Sequence, residues 1–157
     1  MSVDIEETIT IDRPRPRVAA YAMDPTHDTE WIGALTKVEV LTDPPVRVGS
    51  QVRRVARFLG KGVDYLLEVT EHQPAERLVM RSVRSPFPMV VTYRFADDEG
   101  GGTRATVHVQ GDPGGFYQLA APLLARGVRN GVRGDLERLK RNLESDRPAP
   151  ADRRRRG

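Results

Sequence analysis

Met89-Val90-Val91-Thr92-Tyr93-Arg94-Phe95-Ala96 and Thr103-Arg104-Ala105-Thr106-Val107-His108-Val109-Gln110 alternate apolar and polar residues on either side of the short stretch Asp97–Gly102. A period of two puts every second side chain on one face of a strand, and a connection rich in Asp and Gly turns the chain straight back. The pair therefore reads as an antiparallel hairpin. Met89, Val91, Tyr93, Phe95, Ala105, Val107 and Val109 share one face, and Arg94, Arg104, Thr106 and His108 the other.

Toward the N-terminus the same alternation recurs. Val63, Tyr65, Leu67 and Val69, then Leu78, Met80 and Ser82, continue the apolar face; Asp64, Glu68, Thr70 and Arg81 continue the polar one. Strands are expected at Lys37–Leu41, Gln51–Leu59, Val63–His72, Arg77–Val83, Met89–Ala96 and Thr103–Gln110. Asp43-Pro44-Pro45, Gly60-Lys61-Gly62, Gln73-Pro74-Ala75 and Ser85-Pro86 separate them with turn chemistry. Such short connections favour antiparallel neighbours, hence a meander. Ile5, Glu7, Ile9 and Ile11 alternate with Glu6, Thr8, Thr10 and Asp12 as a first strand. Asp12 is the expected helix cap, with Pro14 in the first turn of a short helix through Val18 and Ala22 that stops near Asp24-Pro25. A second short segment, Thr26 to Gly33, carries the only tryptophan, Trp31.

The last expected element is a long helix from Phe116 to about Leu143. Val128, Val132, Leu136, Leu139 and Leu143 recur every three or four residues as one apolar stripe. Pro122 interrupts its first third, and Gly127, Gly131 and Gly134 either weaken it or permit close approach. One long helix beside a curved sheet has only the sheet against which to bury its stripe, which makes the fold α+β.

Composition narrows the function classes. The 157 residues are 38% hydrophobic and 30% charged, too apolar for a disordered chain and too interrupted by charge for a membrane protein. The longest apolar run, Leu119–Ala125, is far shorter than the roughly 20 residues a membrane span needs. The acidic start of the chain is unlike a secretory signal, so the expected location is the cytoplasm. Without cysteine there is no disulfide, thiolate ligand or cysteine nucleophile. Of 25 basic and 22 acidic residues, five arginines and two acids fall from Ser145 onward, leaving 20 of each before it. The body is neutral, which argues against a nucleic-acid face, and the Arg/Pro-rich stretch 145–157 is expected to be a disordered tail behind a single domain of residues 1–144.

The ordered set of motifs resembles the START-like helix-grip superfamily, in particular its polyketide cyclase/dehydrase and lipid-transport (SRPBCC) branch. The matching residues are Ile11-Asp12-Arg13-Pro14 with Val18, Asp24-Pro25, Trp31, Val48-Gly49 and Glu68-Val69-Thr70-Glu71 with Pro74. Tyr93-Arg94-Phe95, Gly101-Gly102-Thr103-Arg104, Pro122-Leu123-Leu124 and Asp135-Leu136-Glu137-Arg138-Leu139-Lys140 complete them. The resemblance implies a helix-grip fold: a curved antiparallel sheet of about seven strands around a long C-terminal helix, with two short helices after the first strand. It also implies a cavity between sheet and helix that holds lipids, hormones or polyketides, with Trp31 near its mouth. Some members catalyse cyclisation or dehydration there.

Period-two reading supplies the candidate lining independently: Tyr65, Leu67, Met80, Ser82, Met89, Tyr93 and Val107 on the apolar face. Phe116, Leu119 and Leu123, from the start of the long helix, join Trp31 as further candidates. The polar atoms of that face are the hydroxyls of Tyr65, Ser82 and Tyr93, which either orient a ligand or find core partners. The third strand is ambiguous, because Val52, Arg54, Ala56 and Phe58 oppose Gln51, Arg53, Val55, Arg57 and Leu59. Arg54 is either an interior cation able to polarise a carbonyl or a surface arginine paired with an acid on the next strand, and the residues favour the second. Arg54 and Tyr65 are the candidate catalytic groups; no metal, no cofactor and no acid/base pair is expected on the inward face. His27, Asp28 and Glu30 cluster without converging on a metal, His72 ends a strand, and His108 points outward. The reading is a monomeric or homodimeric binder or carrier of a hydrophobic small molecule; the alternative is a polyketide cyclase/dehydrase working largely by restricting conformation.

Overall fold

A computed structural model describes residues 3–58, 60–112 and 121–145. In chain order the elements are β1 (Val3–Ile11), α1 (Arg15–Met23), a 3₁₀ turn (Pro25–His27), α2 (Asp28–Trp31), β2 (Leu35–Val40), β3 (Gln51–Phe58), β4 (Lys61–Gln73), β5 (Arg77–Arg84), β6 (Met89–Asp97), β7 (Thr103–Gly111) and α3 (Ala121–Ser145). All seven strands join one antiparallel sheet in the order β1-β7-β6-β5-β4-β3-β2. The chain meanders from β2 to β7, and β1 then pairs with β7 along its whole length. Register shifts between Leu66 and Leu67 and between Val69 and Glu71 bend β4, as bulges do, and the sheet curls around α3. The fold is the helix-grip fold.

Expected strand ends differ from observed ones by at most two residues, the ordinary uncertainty of strand boundaries. The expected cap of the first helix is not observed. Asp12 does not cap α1; Pro14 holds the N-cap position without a side-chain bond, and its carbonyl accepts from the backbone N–H groups of Arg17 and Val18. Asp12 is drawn elsewhere, its N–H donating to the Glu144 carboxylate at 2.8 Å. The following short stretch does use a side-chain cap: Asp24 accepts from the Thr26 N–H.

The stripe on α3 packs as the periodicity requires. Val132, Leu136, Leu139 and Leu143 are buried with Ile11, Val18, Leu67 and Phe95, and each such side chain contributes on the order of 1.5–3 kcal/mol. The helix is also fastened by polar contacts. Arg138 donates to the Trp31 carbonyl at 2.7 Å, Asn142 to the Glu30 carbonyl at 2.9 Å, and Asp135 accepts from the Gly33 N–H at 2.9 Å. At the β6–β7 turn a Cβ on Gly102 would sit 2.5 Å from the Ile11 carbonyl oxygen, so that approach requires glycine. Gly131 and Gly134 have open space instead, and the close-approach reading does not hold for them. Phe116 to Ala120 and the expected tail beyond Ser145 lie outside the described residues. No described helix is long and apolar enough to cross a membrane.

Candidate functional site

The antiparallel registers give the concave face two ends. At one, β1 runs into α1 and the β4–β5 and β6–β7 turns lie together; the far end holds the β3–β4 and β5–β6 connections. Leu67, Val69, Leu78, Met80, Tyr93, Phe95 and Ala105 are buried beneath α1, α2 and the C-terminal half of α3. Toward the far end Val63, Tyr65, Ser82, Met89 and Val109 point the same way but are only half-buried. One apolar face thus passes from sealed core to a partly open surface.

Arg54 stands at that transition. Val52, Arg54 and Ala56 alternate inward along β3, and Arg54 is 4% exposed. Its Nε and Nη2 donate to the same oxygen of Asp28 at 3.1 and 2.8 Å, and Nη2 also donates to the Tyr93 hydroxyl at 3.1 Å. Asp28, 2% exposed, is the first residue of α2. Trp31 lies one helical turn later on the same face, and its ring meets Tyr93 at 5.5 Å between centroids. Across the β3–β4 pair Arg54 faces Tyr65.

Burial governs the protonation of this cluster. Loss of solvent pushes the Asp28 carboxyl above its usual range, with the Arg54 charge pulling it back only in part. Burial works against the guanidinium too, but Asp28, Tyr93 and Tyr65 together hold it protonated well above its ordinary range. Desolvation raises both phenols, Tyr93 to about 12, so both stay neutral at physiological pH. The cluster therefore offers a fixed cation, neutral phenols and one buried carboxyl, Asp28, that is already engaged by Arg54.

The surface reading of Arg54 is thus overturned. Its acid comes from α2 and not from the next strand, and the inward face does carry titratable groups. The pairing expected of Arg54 belongs to its neighbour: Arg53 points outward, bonds Asp64 on β4 at 3.0 and 2.5 Å and reaches Glu39 on β2. Two features of the chain agree with this arrangement without deciding it: the apolar residues Val52 and Ala56 flank Arg54 at i±2, and Asp28 and Trp31 are spaced i,i+3.

The other candidates divide. Tyr65, Ser82 and Met89 lie together at the half-buried far end, where the Ser82 hydroxyl accepts from the Met89 N–H at 2.9 Å. Leu67, Met80, Tyr93 and Val107 are buried core side chains on the same face. Trp31 is 1% exposed and sits in the core, not at a mouth, because α2 turns it under α3. Its Nε1–H has no hydrogen-bond partner among the described residues. Leu123 is 58% exposed on the outer side of α3 and does not line the interior, while Phe116 and Leu119 lie outside the described residues. His108 is outward, between Asp4 and Glu6. Among the described residues no group of three or more His, Asp or Glu side chains is placed to hold a metal ion.

Beside Arg54, Asp28 and Tyr93 the interior leaves a space of about 10 Å³, roughly one water molecule. A much larger groove, about 750 Å³, opens elsewhere, between α1, the β2–β3 loop and the β4–β5 turn.

The family described as polyketide cyclase / dehydrase and lipid transport matches residues 2–144. The fold is similar to that of the Zhui aromatase/cyclase from a Streptomyces species, with a TM-score of 0.80 at 18% identity over 95% of this chain and 98% of that one. A protein from Thermus thermophilus superposes with a TM-score of 0.78 at 23% identity, covering 90% and 97% of the two chains. A START superfamily protein from Mycobacterium smegmatis gives 0.75 at 11% identity, covering 90% and 97%. No curated protein sequence matches the chain.

Proposed function

The chain belongs to the polyketide cyclase/dehydrase and lipid transport family, and on that basis we propose that it binds a hydrophobic small molecule, lipid- or polyketide-like, against the half-buried end of the concave face. The apolar body of the ligand lies along Val63, Met89 and Val109, and a ligand oxygen accepts hydrogen bonds from the Tyr65–Arg54 side of the site. The observation that carries this reading is the buried Arg54, held between Asp28 and Tyr93 where the sealed core gives way to the partly open face. A greasy surface with one fixed polar corner is the usual make-up of a small-molecule site.

A second reading, cyclisation or dehydration of a poly-ketone chain, is favoured by the same arginine. A fixed cation and neutral phenols stabilise negative charge developing on a carbonyl oxygen, and restriction of the chain's conformation adds to that.

Calorimetric titration with a medium-chain fatty acid, its methyl ester and a linear poly-ketone tests the first reading. Saturable binding is expected, weakened a few-fold in Tyr65→Phe, as befits one hydrogen bond of about 0.5–1.5 kcal/mol. Absence of saturable binding by all three probes overturns it. Mass spectrometry of the poly-ketone reactions tests the second: catalytic turnover that Tyr65→Phe slows about 100-fold, at unchanged affinity, establishes an enzyme.

A further inference from the structure

The 750 Å³ groove opens between α1, the β2–β3 loop and the β4–β5 turn, away from Tyr65 and Met89, and shares Met23, Pro25, Val46 and Val52 with the small space beside Arg54. Its size is that of a pocket for a drug-sized molecule. Five prolines, Pro16, Pro25, Pro44, Pro45 and Pro74, form much of its wall, from four separate stretches of chain. Proline fixes φ and offers no N–H donor, so this wall is apolar and already shaped before anything binds. Ala19, Ala20 and Ala75 keep it open by presenting only methyl groups.

Its charge is one-sided. Among the described residues Asp24 and Asp43 both line it, and no lysine or arginine does. His72 is the sole other titratable side chain among the described residues lining it. One Asp24 oxygen accepts from the Thr26 N–H and hydroxyl, while Asp43 stands on the β2–β3 loop. The concave site differs, because its buried cation, Arg54, is already paired with Asp28.

We propose that this groove is a second small-molecule site, selective for an apolar molecule bearing an ammonium group, the apolar part resting on the proline–alanine wall and the cation between Asp24 and Asp43.

Three dodecyl amphiphiles differing only in headgroup test it on the full chain, each below its micelle concentration: trimethylammonium, maltoside and sulfate. The ammonium probe is expected to bind most tightly and the sulfate most weakly, with the methyl resonances of Ala20 and Ala75 shifting on titration. Ala20→Phe fills the groove from an exposed position of α1 and is expected to weaken the ammonium probe about tenfold or more. Asp43→Asn is expected to narrow the ammonium-over-maltoside preference several-fold while leaving maltoside affinity unchanged. Tyr65→Phe, at a residue that does not line the groove, is expected to leave the ammonium-over-sulfate preference unchanged. The proposal is overturned if sulfate binds as tightly as ammonium, or if Ala20→Phe leaves ammonium binding intact.

Discussion

Arg53 and Arg54 are adjacent on β3, each bound to an aspartate through Nε and Nη2, yet they occupy opposite physical regimes. The Arg53 and Asp64 side chains are 33% and 39% exposed on the convex face; those of Arg54 and Asp28 are 5% and 2% exposed inside. Outside, Arg53 holds the Asp64 carboxyl below its ordinary range. Inside, desolvation prevails over the same attraction and Asp28 is raised. Identical chemistry on consecutive residues thus reverses sign with burial. An interior pair retained at such a cost points to a role beyond stability, and the proposed use of Arg54 as the polar corner of the ligand site supplies one.

The contrast is tested most severely by removing one partner from each pair. Asp28→Ala leaves a guanidinium that cannot shed its proton in the core, and a loss of about 3–5 kcal/mol is expected in chemical denaturation. Arg53→Ala is expected to move the midpoint only marginally. Equal losses for the two variants contradict the distinction. Arg54→Met is expected to cost less than Asp28→Ala, since an abandoned carboxyl can take up a proton.

Tyr93→Phe removes one acceptor from Arg54 and no packing volume, and a loss of about 0.5–1.5 kcal/mol is expected. An unchanged midpoint means that the hydroxyl does not support the pair.

The two aspartates also have opposite pH signatures. Asp64 has a folded pKa below the ordinary value of 3.8, so the unfolded chain binds its proton more tightly. Its stabilisation is present above pH 3.8 and is lost as pH falls through the folded value. Asp28 has a folded pKa above 3.8; the native state binds that proton more tightly, and its contribution falls as pH rises from 3.8 through the raised value. In melting curves across this range, the gap between wild type and Asp64→Asn is expected to close in acid. In Arg54→Met the decline with rising pH is expected to extend over a wider window, because the attraction that restrained Asp28 is gone. The assignment is wrong if both variants show slopes of the same sign.

The smallest expected effect belongs to the paired replacement Asp28→Leu with Arg54→Met. Apolar groups of similar volume relieve both desolvation penalties, and stability close to wild type is expected. If ligand affinity disappears while stability holds, the interior charge serves binding; if both are retained, it serves neither.

Repetition made one part of the molecule legible in the chain alone. Alternation along Val63–Val69, Met89–Phe95 and Ala105–Val109 assigned the inward face, because a strand has only two faces and one must leave water. Short turns determined the meander, and the Val128–Leu143 stripe determined what α3 buries. The site itself emerged only on folding. β3 mixes charge and apolar residues on both faces, so its local pattern could not say whether Arg53 or Arg54 turned inward. The deciding partner, Asp28, is 26 residues away on a four-residue helix too short to display a period. The large groove is likewise absent from any local pattern, since α1, the β2–β3 loop and the β4–β5 turn meet only when the sheet curls. Periodic elements encode their faces residue by residue, whereas pairs and pockets arise where distant segments meet.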